Sequence, residues 1–296
     1  MQRLIAFLMS VFLTIGGYAA RAMGDTKAEQ LMAMAKAALG GEKNLNKVQG
    51  LTATGTYQRT MPDRQLSGEV TIDLQLPDRM LRTESMSPMG DMTVVTEQGL
   101  NGEKLLRNQR TLNAPPGVVI RMGQPPAGDA EAQAVRNARA DLARTVLAFL
   151  LTSPASLPLE FTSAGEAESD EGKADVIDAK GAGSFAARIF IDQKSHRPLM
   201  LTYRGVAPRV MIQTQQGPPP DEGRGQHGEP APGATPAMPP PQIVDITLYL
   251  DDYRPVDGVM LPHHMTRSVD GKPTEETTFK TIKVNPAFKP DTFMAR

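Results

Sequence analysis

The stretch Glu69-Val70-Thr71-Ile72-Asp73-Leu74-Gln75-Leu76 decides the fold class. Apolar and polar residues alternate strictly along it, and successive side chains of a strand point to opposite faces of a sheet. The stretch therefore predicts a β-strand whose Val, Ile and Leu side chains are buried and whose polar side chains face water.

Weaker alternation continues on both sides of this strand. The sequence predicts strands at 48–60, 79–86, 92–98 and 103–107, separated by turn signals at 77–78, 88–90 and 101–102. Further strands are predicted at 159–163, 174–178, 185–191, 199–204, 209–213, 243–253, 256–269 and 275–284, with a turn at Asp270-Gly271. Strands close in sequence and joined by short turns favour an antiparallel meander.

Two amphipathic helices interrupt the strands. Asp25 or Thr26 is the predicted cap of a short helix in which Leu31, Met32, Ala35 and Leu39 share one face, and Gly40-Gly41 ends it. A longer helix at 130–151 has one apolar stripe, formed by Val135, Ala138, Leu142, Val146 and Phe149, and Pro154 follows it. A long open sheet curls and needs its apolar face covered. The predicted fold is mainly β with α (α+β), a curved antiparallel sheet forming an incomplete β-barrel with a helix covering the concave face.

The N-terminus has the pattern of an export signal. Arg3 precedes an apolar run at 4–15, Gly16-Gly17 breaks the run, and Ala20-Arg21-Ala22 offers a cleavage site after Ala22. The alternative is an uncleaved anchor, although the run is shorter than the ~20 residues of a membrane-spanning helix. We therefore predict a signal peptide at 1–22 and one domain at 23–296. A disordered insertion is expected at 214–242, where Pro and Gly dominate.

Composition excludes several classes of function. The chain has no cysteine, so disulfides, thiolate chemistry and an acylated N-terminal cysteine are excluded. Lys and Arg number 32 against 33 Asp and Glu, and this balance favours neither nucleic acid nor an anionic membrane surface as a partner. The 17 methionines suit either a variable apolar ligand or an ordinary core.

Patterns typical of enzymes and metal sites are weak. Gly223-Arg224-Gly225-Gln226-His227-Gly228 matches a dinucleotide fingerprint but lies in the Pro-rich insertion, without the strand and helix that this motif needs. Asp251-Asp252 and His263-His264 are interpreted as solvated polar positions, because neighbours on a strand point to opposite faces. The acidic loop Ser169-Asp170-Glu171 lacks the alternating ligands of a calcium loop. We predict no catalysis, no cofactor and no metal.

Several hairpin motifs resemble a known superfamily. Phe190-Ile191-Asp192 with Lys194-Ser195-His196-Arg197-Pro198-Leu199, and the C-terminal stretches Asp252-Tyr253-Arg254, Val256-Asp257-Gly258-Val259, Leu261-Pro262-His263 and Ile282-Lys283-Val284-Asn285, are similar to those of periplasmic lipoprotein-sorting carriers. The resemblance implies an incomplete barrel whose hydrophobic cavity takes the acyl chains of a lipoprotein, without an active site. The candidates for the carrier's functional arginine are Arg59, Arg82 and Arg107.

The resulting prediction is non-catalytic binding or carriage of a hydrophobic ligand in the periplasm, with lipid or lipoprotein acyl chains as partner and the long helix as a movable cover. The predicted lining residues are Val70, Ile72, Leu74, Leu142, Val146, Phe149, Ile189, Ile191, Ile246 and Leu248. The alternative is an envelope sensor or scaffold domain that binds a protein partner, for which the insertion would be an arm. Deleting 217–241 would distinguish the two, because a carrier keeps its ligand affinity.

Overall fold

The computed structural model describes residues 20–61, 64–89, 91–114, 128–170, 172–207 and 242–294. The helices within these ranges are α1 (Ala20–Ala38), α2 (Glu42–Leu45) and α3 (Asp129–Leu150). The strands are β1 (Gly50–Thr60), β2 (Gln65–Gln75), β3 (Arg79–Met89), β4 (Met92–Asn101), β5 (Lys104–Leu112), β6 (Leu159–Ser169), β7 (Gly172–Gly181), β8 (Phe185–Asp192), β9 (Pro198–Val206), β10 (Ile243–Val256), β11 (Val259–Val269) and β12 (Lys272–Val284).

All twelve of these strands form a single sheet. Its order is β5-β4-β3-β2-β1-β12-β11-β10-β9-β8-β7-β6, and every neighbouring pair is antiparallel. The sheet is curved and does not close, because β5 and β6 are its two edges. The predicted fold class is confirmed.

The sheet consists of two meanders joined at its centre. Hairpins connect β1 to β5 in one meander, and β6 to β9 and β10 to β12 in the other, where the segment between β9 and β10 includes the undescribed residues 208–241. β1 pairs with β12 from Leu51↔Val284 to Arg59↔Glu275. Asn285 holds this junction, because its Oδ1 accepts hydrogen bonds from the backbone N–H groups of Gln49 (2.6 Å) and Gly50 (3.2 Å). The first and last strands thus meet in the middle of the sheet.

Asp-Gly pairs form the tight turns around β11. Val269 pairs with Lys272 across Asp270 and Gly271, and both turn residues have positive φ, 46° and 76°. Two-residue loops with this conformation match the twist of paired strands, and glycine adopts it without a steric penalty. The predicted turn at 270–271 is confirmed.

The helices differ from prediction at their ends. The first begins at Ala20 rather than at Asp25 or Thr26, although its predicted apolar face is buried. The long helix ends at Leu150, because Leu151 adopts the left-handed conformation that stops a helix before Pro154 is reached. The helices of the described part of the chain lack the length and apolarity of a membrane span.

Several predictions fall on residues that the structure does not describe. They are the leader up to residue 19, the strand at 209–213, the fingerprint at 223–228 and the insertion at 214–242 apart from Gln242. The signal peptide, its cleavage site and the insertion stay predictions.

Candidate ligand-binding site

One face of the sheet, here called the inner face, contains most of the buried apolar side chains. The register aligns Leu51 with Leu74, Leu74 with Met80 and Met80 with Leu100, so apolar residues form a row across β1 to β4. Ile189, Leu201 and Leu248 are aligned in the same way across β8 to β10. Alternation along each strand and register across strands therefore produce a continuous apolar surface.

The ten predicted lining residues belong to one hydrophobic core on this face. Nine of them are buried, and Leu248 is partly buried and packed against the others. The members are Val70, Ile72, Leu74, Leu142, Val146, Phe149, Ile189, Ile191, Ile246 and Leu248. The structure thus brings the predicted set together, and whether it binds a ligand stays a prediction.

Helix α3 lies across the inner face, against β4, β5, β9 and β11. The Phe149 ring packs on Phe279 of β12, with 5.7 Å between ring centroids. Arg144 places its guanidinium 4.0 Å from the centroid of the Tyr203 ring, and Arg139 forms an ion pair with Glu103 next to β5. A guanidinium over the face of an aromatic ring is attracted to it electrostatically, so the Arg144–Tyr203 contact helps to hold α3 on the sheet.

A small cavity remains under the C-terminal turns of α3. Its volume is about 70 Å³, and it is bordered by Ile72, Arg82, Thr145, Ala148, Phe149, Leu248, Met265, Arg267, Glu275, Thr277 and Phe279. Ligand pockets commonly measure about 300–1,000 Å³. An acyl chain therefore needs the side chains of α3 to move aside.

A closed network of four charged side chains borders this cavity. Arg59 Nε donates to Glu275 Oε2 (2.8 Å) and its Nη2 to Glu84 Oε1 (2.9 Å). Arg82 Nε donates to Glu84 Oε1 (2.7 Å) and its Nη2 to Glu275 Oε1 (2.8 Å). Each carboxylate thus contacts both guanidinium groups, a charge-assisted arrangement among the strongest hydrogen bonds in proteins.

The network lowers the pKa of its carboxyl groups. Burial alone would raise the pKa of Glu275, but Arg82, Arg59 and Arg267 favour its charged form and lower the pKa to about 2. The pKa of Glu84 is lowered too, since the attraction of Arg82 and Arg59 outweighs the effect of burial. Both carboxylates are ionised at neutral pH.

Two further polar groups next to the network have few partners. The Tyr57 side chain is buried, and its hydroxyl has no hydrogen-bond partner within the described residues. Arg267 donates from Nη2 to the Tyr203 hydroxyl at 3.5 Å, and no carboxylate of the described chain lies within ion-pair distance of it. Burial raises the pKa of Tyr57 to about 12, so its hydroxyl stays protonated and able to donate.

The three candidate arginines occupy different environments. Arg59 and Arg82 are members of the network, whereas Arg107 is exposed on the edge strand β5. Neither Glu84 nor Glu275 was among the residues predicted from the sequence. The parity of β12 was a usable signal, because Glu275 alternates in phase with Thr277 and the buried Phe279.

The Asp and His pairs lie on neighbouring strands, with Asp251 opposite His264. Asp252 has φ 53° and accepts a hydrogen bond from Arg254 Nε at 2.9 Å. The prediction that the histidines are solvated is wrong for His263, which is buried in phase with Leu261 and Met265 on the inner face. The described residues contain no group of three side chains suited to a metal ion, and Glu171 of the acidic loop lies outside them.

Comparison with known proteins gives structural neighbours only. No family model matches the chain, and no curated protein matches its sequence. Similar solved structures include members of the superfamily of lipoprotein-sorting proteins that the sequence resembles.

Three such structures each match about nine tenths of the chain. A LolA superfamily protein from Nitrosomonas europaea is 9% identical, with 90% of this chain and 96% of that chain covered and a TM-score of 0.44. A DUF1329 family protein from Desulfovibrio piger is 7% identical, with 90% and 96% covered and a TM-score of 0.44. A domain described as an outer membrane lipoprotein-sorting protein from Vibrio parahaemolyticus is 11% identical, with 90% and 97% covered and a TM-score of 0.42.

Proposed function

We propose that the chain is an exported, non-catalytic carrier that binds a hydrophobic ligand, a lipid or the acyl chains of a lipoprotein, between α3 and the inner face. The observation that carries this proposal is the form of the apolar surface. A curved sheet that stays open at β5 and β6 presents its apolar face to amphipathic helices. Leu31, Met32, Ala35 and Leu39 of α1 join the same core, and α3 connects the two edge strands. A helix in that position packs on the sheet through side chains, so it can move without breaking the hydrogen bonds between strands.

Binding requires an exchange of apolar contacts. Leu142, Val146 and Phe149 of α3 fill the space above β2 and β12. A ligand chain that displaces them gains about 0.8 kcal/mol for each CH₂ group removed from water, and the helix side chains lose a comparable burial. The net affinity is therefore moderate, and moderate affinity suits a carrier that must release its ligand.

The compartment follows from the proposed leader. The pattern at 1–22 is that of a cleaved signal peptide, so the carrier would act in the periplasm on ligands from the envelope. The absence of cysteine from the sequence means that the chain is not itself acylated on an N-terminal cysteine.

Native mass spectrometry of the protein purified from a periplasm tests the proposal directly. We expect co-purifying lipid or acylated peptide, which extraction would identify. A protein that arrives empty and also fails to bind added fatty acids or phospholipids would contradict the proposal.

A fluorescent reporter tests the position of the ligand. Because the sequence contains no Trp, Phe149→Trp creates a single-tryptophan protein with no background. We expect a shift in its emission when hexadecanoic acid is added, since the ligand changes the contacts of this position. Phe293→Trp is the matched control, because Phe293 is equally buried but packs with Leu81 and Leu106 on the other face of the sheet. Equal responses of both variants would contradict binding beneath α3.

A further inference from the structure

The inner face is not uniformly apolar, and its polar part lies at one end. Arg59 precedes the last residue of β1, while Arg267 lies two residues before the end of β11 and Glu275 three residues after the start of β12. The apolar row of Leu51, Leu74 and Leu100 lies toward the opposite end of the sheet. An elongated ligand on this face therefore meets two different chemical environments.

The charges of the polar part do not balance. Three guanidinium groups, those of Arg59, Arg82 and Arg267, surround the two carboxylates of Glu84 and Glu275, which leaves a formal excess of one positive charge. Asp141 and Arg144 on α3 neutralise each other through a hydrogen bond of 2.8 Å. Glu84 and Glu275 form ion pairs with both Arg59 and Arg82. Arg267 is the cross-strand neighbour of Glu275 but forms no ion pair within the described residues, so we assign the excess charge to Arg267.

The guanidinium of Arg267 is positioned to bind a negatively charged group of a ligand. It borders the cavity beside Phe149 and Leu248, and the Tyr203 hydroxyl at 3.5 Å is a weak partner for a guanidinium. The side chains of the network are 10–29% exposed, so the polar part is accessible from solvent while the apolar part is covered by α3. The Tyr57 hydroxyl, buried and without a hydrogen-bond partner among the described residues, is a further donor next to Arg59.

We propose that the ligand is an anionic amphiphile, whose negatively charged head group binds Arg267 at the polar end while its chain lies along the apolar part beneath α3. This inference rests on the proposed function and narrows its ligand class. An apolar chain alone would leave the excess charge at the cavity wall without a partner, whereas an anionic head group forms a charge-assisted hydrogen bond with it. The head group is a carboxylate or a phosphate, since both match a guanidinium.

Three probes with the same chain length separate head group from chain. They are hexadecanoic acid, its methyl ester and hexadecyl phosphate, and their dissociation constants are measured at pH 8 by displacement of a fluorescent acyl probe. We expect the ionised probes to bind about tenfold more tightly than the ester, the range of a hydrogen bond to a charged group. The tighter of the two ionised probes distinguishes a carboxylate from a phosphate ligand.

Substitution of Arg267 assigns the effect to this residue. In Arg267→Gln we expect the preference for ionised probes to disappear while ester affinity is unchanged, which also shows that the variant is folded. Arg188→Gln is the matched control, because Arg188 is an arginine of the same sheet that binds Asp178 at 2.7 Å on the outer face. It should keep the preference.

The outcomes distinguish the two proposals. Equal binding of acid and ester by the unsubstituted protein would overturn the anionic ligand and leave the carrier proposal intact. A preference that survives Arg267→Gln would overturn the assignment to Arg267. Failure to bind any of the three probes would contradict the carrier proposal and the present inference with it.

Discussion

The four-residue network shows how charge is accommodated on an otherwise apolar face. Placing an ion in a poorly hydrated environment costs several kcal/mol, and this cost is offset only where the geometry pairs every charge. Here Glu275 accepts from both Arg59 and Arg82, and Glu84 does the same. Removing one carboxylate leaves two guanidinium groups competing for the other.

The network predicts a pH dependence of stability. The native pKa of Glu275, about 2, lies below its ordinary value of 4.5, so its contribution is complete above about pH 4.5 and is lost as the pH falls through 2. We expect Glu275→Gln to lower the free energy of unfolding by about 3 kcal/mol at pH 7 and to flatten its decline between pH 5 and 2. Urea unfolding across this range measures both effects.

Glu276→Gln serves as the control for this experiment. Glu276 is the next residue of β12, but it is exposed. Its substitution should leave both the stability at pH 7 and the shape of the pH profile nearly unchanged. If Glu275→Gln and Glu276→Gln behave alike, the network does not stabilise the native state.

At the scale of elements, α3 consists of two halves with different environments. Residues 129–133 are exposed, and Val135 and Ala138 are only partly buried. From Leu142 to Leu150 the apolar side chains have at most 2% of their surface exposed. The helix is therefore attached to the sheet mainly by its C-terminal half. Its N-terminal half has only the partly buried contacts of Val135 and Ala138 and the exposed ion pair of Arg139 with Glu103.

Hydrogen exchange should resolve these halves. Backbone amides open locally with free energies that follow the number of buried contacts, so amides of 132–139 should exchange much faster than those of 143–150. Exchange measured by mass spectrometry on overlapping peptides of α3 tests this expectation. Uniform protection along the helix would show that α3 opens only as a unit.

The secondary-structure elements were more predictable from the sequence than the contacts between distant elements. Strict alternation in 69–76 fixed which side chains of β2 are buried, and the 3.6-residue period did the same for α3. The ends of the helices were less predictable. Leu151 ends α3 by adopting a left-handed backbone conformation, which a leucine in the sequence does not indicate. Arg59 and Glu275 are 216 residues apart, and their contact depends on the β1–β12 register, which local patterns do not specify.

At the scale of the whole molecule, α3 links the two edges of the sheet whose inner face it covers. The chain leaves the sheet at the edge strand β5, forms α3 and re-enters at the opposite edge strand β6. The apolar core extends across both meanders, from Val70 and Leu100 to Ile177 and Ile189. Any ligand between α3 and the inner face thus contacts a surface to which both halves of the chain contribute.

The pairing of β1 with β12 also sets an order of folding. Every other pair of neighbouring strands is joined by a hairpin or a single connection, whereas this pair closes a loop containing almost the whole domain. Loop closure costs entropy that is recovered only when the contacts form, so non-local pairs form late. Before that step, β1 and β12 are both free edges, and free edges promote association between chains.

Pulse-labelled exchange during refolding measures this order. We expect amides within β2–β4 and β7–β9 to become protected first and the amides that bond β1 to β12 to become protected last, with aggregation confined to the interval between them. Asn285→Ala removes the side chain that joins the strand ends and should prolong that interval. Simultaneous protection of all strands would contradict the order. Until β1 pairs with β12, a newly synthesised chain is thus at its most liable to associate with other chains.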